Sequence, residues 1–296
     1  MAGLVGDVGA GSANNPEDVR AVQTHLRRHA NWLSPTPAPE VTGRYDLATG
    51  SAIQAFQRNA VSYLKPDGIV SRQGLTIRRL EATVLSRPRH AVFQEVCWAR
   101  LGSGLKPDDY KAAATTLKAS AAAVQAVAET ESMRAAWDEL GRPTILYELH
   151  YFSKATKHQY DRSHPDLSHK VQNKDAYGKF SAQYPKLKRA AVLNESEALK
   201  SASWGMFQIM GANHVAAGFG TVEAFVDAMV ESEQRHLEAF VSFIDHDSKK
   251  RTALQELDWA TFARLYNGPG YAKNSYDTKM ATAYETLSKA TPPAGP

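Results

Sequence analysis

At 296 residues, with 43% apolar and 22% charged side chains, the chain has the composition of soluble globular material and the length for one large domain or two smaller ones. The net charge of +4 suits an anionic partner, but the basic clusters Lys186-Leu-Lys-Arg189 and Lys249-Lys-Arg251 are short, which favours a solvated basic face over nucleic-acid binding. A single cysteine, Cys97, excludes an intrachain disulfide and any zinc site made of several thiolates, and no run approaches the roughly 20 apolar residues of a membrane helix.

The opening "MAGLVGDVGAGSANN" has neither a basic n-region nor a long apolar core, so no ordinary export signal is expected. Asn14-Asn-Pro16 then reads as a helix start, with Val19, Val22 and Leu26 at helical spacing and the proline-rich "SPTPAPE" (34–40) as its end. In "VTGRYDLATGSAIQAFQRNA", Gly43 marks a turn, Thr49 a helix start, and Ala52, Ile53 and Phe56 one helix face. The pattern recurs in part in "KPDGIVSRQGLTIRRL", where Asp67-Gly68 is followed by Ile69, Leu75 and Leu80. The series Val22-Gln23 to Leu26, Gly43, Thr49, Ala52, Phe56-Gln57 and Asp67-Gly68-Ile69 resembles the small three-helix peptidoglycan-binding domain of cell-wall hydrolases over most of residues 15–80. Most of these residues are core and turn positions even in such a domain, and the resemblance assigns no ligand contact to any residue here.

Residues 84–106 mix Arg-Pro, Gly-Ser-Gly and a short apolar segment and read as a linker between a first domain at 1–83 and a second at 107–290, with 291–296 as a tail. The second segment opens with a proline and two acids, "PDDYKAAATTLKAS", the expected first turn of a helix. Later, "TVEAFVDAMVESEQRHLEAFVSFI" reads as one long amphipathic helix. β-signals are few, so the second domain is expected to be mainly α.

Two acids stand out. In "VQAVAETES" (124–132), Val124, Val127, Ala128 and Glu131 follow i, i+3, i+4, i+7 spacing, whereas Gln125 and Glu129 share another side. Glu131 is therefore the acid on the apolar stripe, where a carboxyl must find a partner, become neutral or line a cleft. In "TILYELHYF" (144–152), strand or helix, Glu148 is the one formally charged residue, among Leu146, Tyr147, Leu149 and Phe152. Two acids in apolar settings are the minimum for glycoside hydrolysis, one protonating the leaving oxygen and the other serving water, nucleophile or transition state. "SASWGMFQIMGANH" (201–214) and "FARLYNGPGYAKNSYDTKM" (262–280) add the amides, hydroxyls and aromatic faces that a saccharide site uses: Trp204, Gln208, Tyr266, Asn267 and Tyr271.

Together and in this order, Glu-Ser closing a helix, Gly-Met-Phe-Gln-Ile-Met (205–210) and Tyr-Asn-Gly-Pro (266–269) resemble the lysozyme-like lytic transglycosylase and goose-type lysozyme superfamily. The chain is closer still to the phage endolysin N-acetylmuramidase family, over residues 107–287 and with the same module order. The resemblance implies a small three-helix wall-binding module followed by a larger α-helical lysozyme-like domain, acting on bacterial peptidoglycan without a cofactor. It implies a monomer made in the host cytoplasm that reaches the wall without a signal peptide. It puts the catalytic glutamate on Glu131, the runner-up on Glu148, and cleft-lining positions on Gln208, Tyr266 and Asn267. After Glu-Ser the family continues with glycines and a Phe; this chain has "MRAAWDELGRP", so Trp137 takes the place of the Phe and the rim is expected to differ in shape.

Three other readings compete. A lytic transglycosylase would use the same residues and leave 1,6-anhydro ends. A zinc peptidase could draw on His150, His158, His164, His169, Asp161 and Asp166, although their spacing fits no metalloprotease motif. A non-catalytic wall-binding protein would keep both glutamates as architecture.

Overall fold

The computed structural model describes residues 4–82, 85, 88, 90–93, 104–132, 135–172 and 177–290. Most of the expected linker, Cys97 included, and the 291–296 tail lie outside them.

The first domain is three helices, α1 (Pro16–Arg28), α2 (Leu47–Asn59) and α3 (Leu75–Glu81), around a core of Val19, Val22, Leu26, Ile53, Phe56, Ile77 and Leu80. Pro16 opens α1 with Glu17 and Asp18 in the first turn, where the exposed N–H groups favour acids. The helix ends at Arg28, ahead of the proline-rich stretch, and a 3₁₀ turn (Ala30–Trp32) follows. The partial repeat has a physical basis in two wholly buried glutamines. Gln23 Oε1 accepts from the N–H groups of Thr42 and Gly43 (both 2.9 Å), while its Nε2 donates to Arg44 O (3.1 Å) and Thr49 Oγ1 (3.0 Å). Gln57 does the same one unit later, accepting from Gly68 N–H (2.8 Å) and donating to Ile69 O (2.9 Å) and Thr76 Oγ1 (3.3 Å). A buried amide is tolerated when every group is paired, and here the pairing fixes each glycine turn and the start of the next helix.

The larger core belongs to α4 (Pro107–Leu117), α5 (Ala121–Glu131), α6 (Leu149–Ala155), α7 (Gln183–Leu193), α8 (Glu195–Lys200), α9 (Val222–Glu231), α10 (Glu233–Asp245), α11 (Ser248–Gln255), α12 (Trp259–Asn267) and α13 (Tyr276–Ala290). The helix α5 is central, with α4 on one side and α13 along another. A small antiparallel sheet runs in the order β1 (Ile145–Tyr147), β2 (Ala202–Trp204), β3 (Ile209–Met210), pairing Ile145 with Trp204 and Trp204 with Ile209. The 144–152 segment is thus both strand and helix, switching at Glu148.

The long helix expected at 221–244 is two. Ser232 is extended (φ −167°, ψ 165°) and its hydroxyl accepts from Arg235 N–H, so it caps α10 and ends α9. In the expected linker, Val92 and Phe93 are buried in the larger core, as apolar side chains with a surface to cover should be.

The two domains meet through helix ends. Arg189 of α7 donates from Nε (3.1 Å) and Nη2 (2.6 Å) to Ser62 O, and His164 Nε2 lies 2.7 Å from Val61 O, just beyond α2. In return Arg79 of α3 donates to Val192 O (3.1 Å) and Leu193 O (3.3 Å) at the end of α7. Val192 O and Leu193 O are the last carbonyls of α7, which lack partners within the helix and carry its negative end, so a cation from the other domain suits them.

Candidate active site

Glu131 is the last residue of α5. Val124, Val127 and Ala128 of the same helix are buried, Glu129 is exposed, and the Glu131 carboxyl points inward. Among the described residues, its hydrogen bond comes from Asn267 Nδ2 at 2.7 Å. Burial pushes its pKa up to about 7, and the Asn267 bond, which favours the carboxylate, holds it from going higher. A position at a helix C-terminus is also an unfavourable place for negative charge.

Asn267 and Tyr266 close α12, and Gly268 follows at φ +82°, a left-handed turn that leads through Pro269-Gly270 to Tyr271. Tyr266 is packed by Phe240, Phe243 and Phe262 (centroids 5.6, 5.8 and 5.8 Å) and donates its hydroxyl to Phe207 O (3.2 Å) in the β2–β3 turn. Burial, with the Glu131 charge nearby, holds that hydroxyl protonated. Replacing Asn267 by Ala removes the bond that favours the ionised Glu131. We expect the alkaline limb of the pH–activity profile to move up by about one unit and activity at pH 6 to fall about tenfold as the carboxyl loses its orientation. Turbidity clearance of cell walls across pH measures both.

Two expected sugar contacts turn out to be scaffold. Trp204 has no exposed surface and donates Nε1–H to Leu199 O (3.0 Å), so no ring face is left for a saccharide. The correction has a plain cause: Trp204 sits in the central strand between Ile145 and Ile209, over the core. Gln208 adopts φ +49° and uses its amide on the scaffold, donating to Gly205 O (2.8 Å) in the hairpin and to Thr144 O (3.2 Å) just before β1, and accepting from Ser203 Oγ (2.9 Å). Tyr271 lies partly exposed on the turn after Asn267.

Glu148 is not joined to this group. Its N–H donates to Ser201 O (2.8 Å) at the far end of β2 from the turn that holds Tyr266. Its Oε2 accepts from the Tyr177 hydroxyl in a short hydrogen bond and lies 3.3 Å from His150 Nδ1.

A network that the sequence reading missed anchors the rim. Trp137 donates Nε1–H to Glu233 Oε1 (2.8 Å) and lies against His236 (5.1 Å between centroids). His236 Nε2 faces Met229 O (2.7 Å) and its Nδ1 accepts from Met206 N–H (3.3 Å), which requires the neutral ring with its proton on Nε2; burial favours the same neutral form. A Cβ on Gly205 (φ +68°) would lie 2.9 Å from this ring, so the turn accepts only glycine there without rearrangement. The segment after Glu131 is thereby tied to the β2–β3 turn; Met133 and Arg134 within it lie outside the described residues. The Ser232 break that brings Glu233 to the start of α10 was the available signal.

The remaining histidines have separate roles. His158 Nδ1 faces Ser153 Oγ (2.8 Å) and Asp161 (3.3 Å), His164 caps Val61 across the domains, and His169 Nδ1 bonds Val171 O (2.9 Å). Among the described residues no group of three or more His, Cys, Asp or Glu is placed to hold a metal ion.

The family model described as N-acetylmuramidase matches residues 120–288, and that of a putative peptidoglycan binding domain matches residues 15–77. The crystal structure of the Burkholderia AP3 phage endolysin is similar at 36% sequence identity with a TM-score of 0.59, covering 92% of this chain and 95% of the other. No curated protein sequence matches. A helix-end glutamate held by a neutral amide, on a mainly α fold behind a small three-helix module, together with these matches, makes the chain a member of the N-acetylmuramidase family of glycoside hydrolases with an N-terminal peptidoglycan-binding module.

Proposed function

We propose that this muramidase serves as a phage-type endolysin and cleaves the β-1,4 bond from N-acetylmuramic acid to N-acetylglucosamine, with Glu131 as the proton donor. The observation that carries this is the Glu131 carboxyl itself, inward at the end of α5 and bonded by a neutral amide, where burial pushes its pKa up to about 7. Such a group holds a proton for the glycosidic oxygen and can take one back from the attacking water. Asn267 orients the carboxyl, and Tyr266 fixes Asn267 against the sheet. Glu148, gripped by Tyr177 and His150, is the second carboxylate of the proposal. The wall is the place of action, and the N-terminal module raises the local concentration of the catalytic domain on it.

Mass spectrometry of digested peptidoglycan tests the reading. Reducing N-acetylmuramic ends are the expected product. Anhydro ends would make the chain a transglycosylase, in which the sugar's own 6-hydroxyl replaces water, and free peptide ends would sink both readings.

A further inference from the structure

Glu148 follows β1 directly and is the N-cap residue of α6, yet its side chain makes no cap bond to that helix. Asp247 and Asp258, acids at the same position of α11 and α12, both accept from N–H groups of the helix they open, as an acid there ordinarily does. The Glu148 side chain, 13% exposed, is turned aside instead: Oε2 takes the Tyr177 hydroxyl and lies near His150 Nδ1. Among the described residues Oε1 takes no hydrogen bond, so one oxygen is anchored and the other is open to water or a sugar hydroxyl.

The Tyr177 hydroxyl is aimed at this carboxylate. Gln172 Nε2 donates to it (3.0 Å), and an amide N–H can only donate, so the phenol proton is committed to Glu148. Burial, then the Glu148 bond, pushes the phenol pKa up to about 12, so at neutral pH it is a donor. Its backbone is fixed from α7. Gln183, 2% exposed, donates Nε2–H to Tyr177 O (2.8 Å), while its Oε1 accepts from the N–H of Tyr147 (3.0 Å), the residue before Glu148. Lys186 Nζ donates to the same Tyr177 carbonyl (2.9 Å). One buried amide thus ties the strand that carries Glu148 to the segment that carries its donor.

We propose that Tyr177 is a positioning residue of the muramidase reaction, fixing the direction in which Glu148 presents its open oxygen, with Gln183 as the brace. A carboxylate held by one oxygen offers the other along a set line, and the rate of attack depends on that alignment. The proposal rests on the reading of Glu148 as the second carboxylate.

The test is a double-substitution cycle in the full chain, acting on a soluble glycan fragment with products counted by mass spectrometry. Tyr177→Phe keeps the ring and removes the hydroxyl. It should lower kcat about tenfold, the scale of one charge-assisted hydrogen bond, with KM within about twofold of wild type. In a Glu148→Gln background the same substitution should change neither any further, because Tyr177 acts only through that carboxylate. Equal losses in both backgrounds would mean that Tyr177 only shapes its segment. A wild-type kcat for Tyr177→Phe beside a slow Glu148→Gln would leave Glu148 in the mechanism without Tyr177; each outcome overturns the proposal. Wild-type turnover by Glu148→Gln is the separate failure of the second-carboxylate reading, and the proposal falls with it.

Discussion

Glu131→Gln lowers turnover of peptidoglycan by about 10³-fold, the range a general acid supplies, and leaves wall binding intact, since Glu131 and its Asn267 partner both belong to the larger domain. The same substitution raises stability at pH 8. The folded pKa of Glu131 is about 7 against an ordinary 4.5, so the folded state binds the extra proton between those values. Stability is therefore full below pH 4.5, falls as pH rises through that window, and is lowest above pH 7. The shift corresponds to roughly 3 kcal/mol, and the carboxyl keeps some solvent, so about 2 kcal/mol is the expected gain from a neutral Gln at pH 8. That is a rise of about 4 °C in Tm at pH 8 and almost none at pH 4.5. Calorimetry at the two pH values checks the stability arm, and wild-type activity should decline above pH 7 as Glu131 ionises. Retained lysis would remove Glu131 from the mechanism. A lysis-dead variant with no gain in Tm would keep the catalytic role and deny the raised pKa.

The difference in legibility between residues has a physical cause. Gln23 and Gln57 were readable because their partners lie in the loop and helix start that come next in the chain, 11 to 26 residues on, so the spacing of Gln, Gly and Thr records the contacts. Glu131 was readable as the inward acid because helical period fixes which side chains share a face. Trp204 was not, since a tryptophan among small residues suits a sugar platform as well as a core. The deciding contact is the pairing of β2 with β1, whose partners are nearly sixty residues apart in the chain. Gln208 misled for a related reason: an amide in a Gly-rich turn suggests a ligand, but at φ +49° its side chain bonds the turn's own Gly205 O and, across the sheet, Thr144 O, which lies 64 residues earlier in the chain. Glu233 was hidden by the opposite error. Apolar spacing runs on across Ser232, and the cap that breaks the helix is a local contest between a serine hydroxyl and one more helical turn.

Trp204→Ala is expected to lower stability by about 4 kcal/mol, the scale of removing a large aromatic from a closed core. Part of that loss is Leu199 O, left without its indole donor. Trp204→Phe keeps most of the volume, loses the hydrogen bond, and should lower stability by about 1.5 kcal/mol. The pair of variants separates the two roles assigned to this residue. A saccharide platform would raise KM on both substitutions and leave Tm nearly unchanged. The buried strand position predicts a large fall in Tm for Ala, a smaller one for Phe, and for Phe a KM equal to wild type at a temperature where the protein stays folded. Any change in kcat for the Phe variant must then pass through the hairpin: a loosened β2 moves Phe207, whose carbonyl holds Tyr266 and so sets where Asn267 meets Glu131.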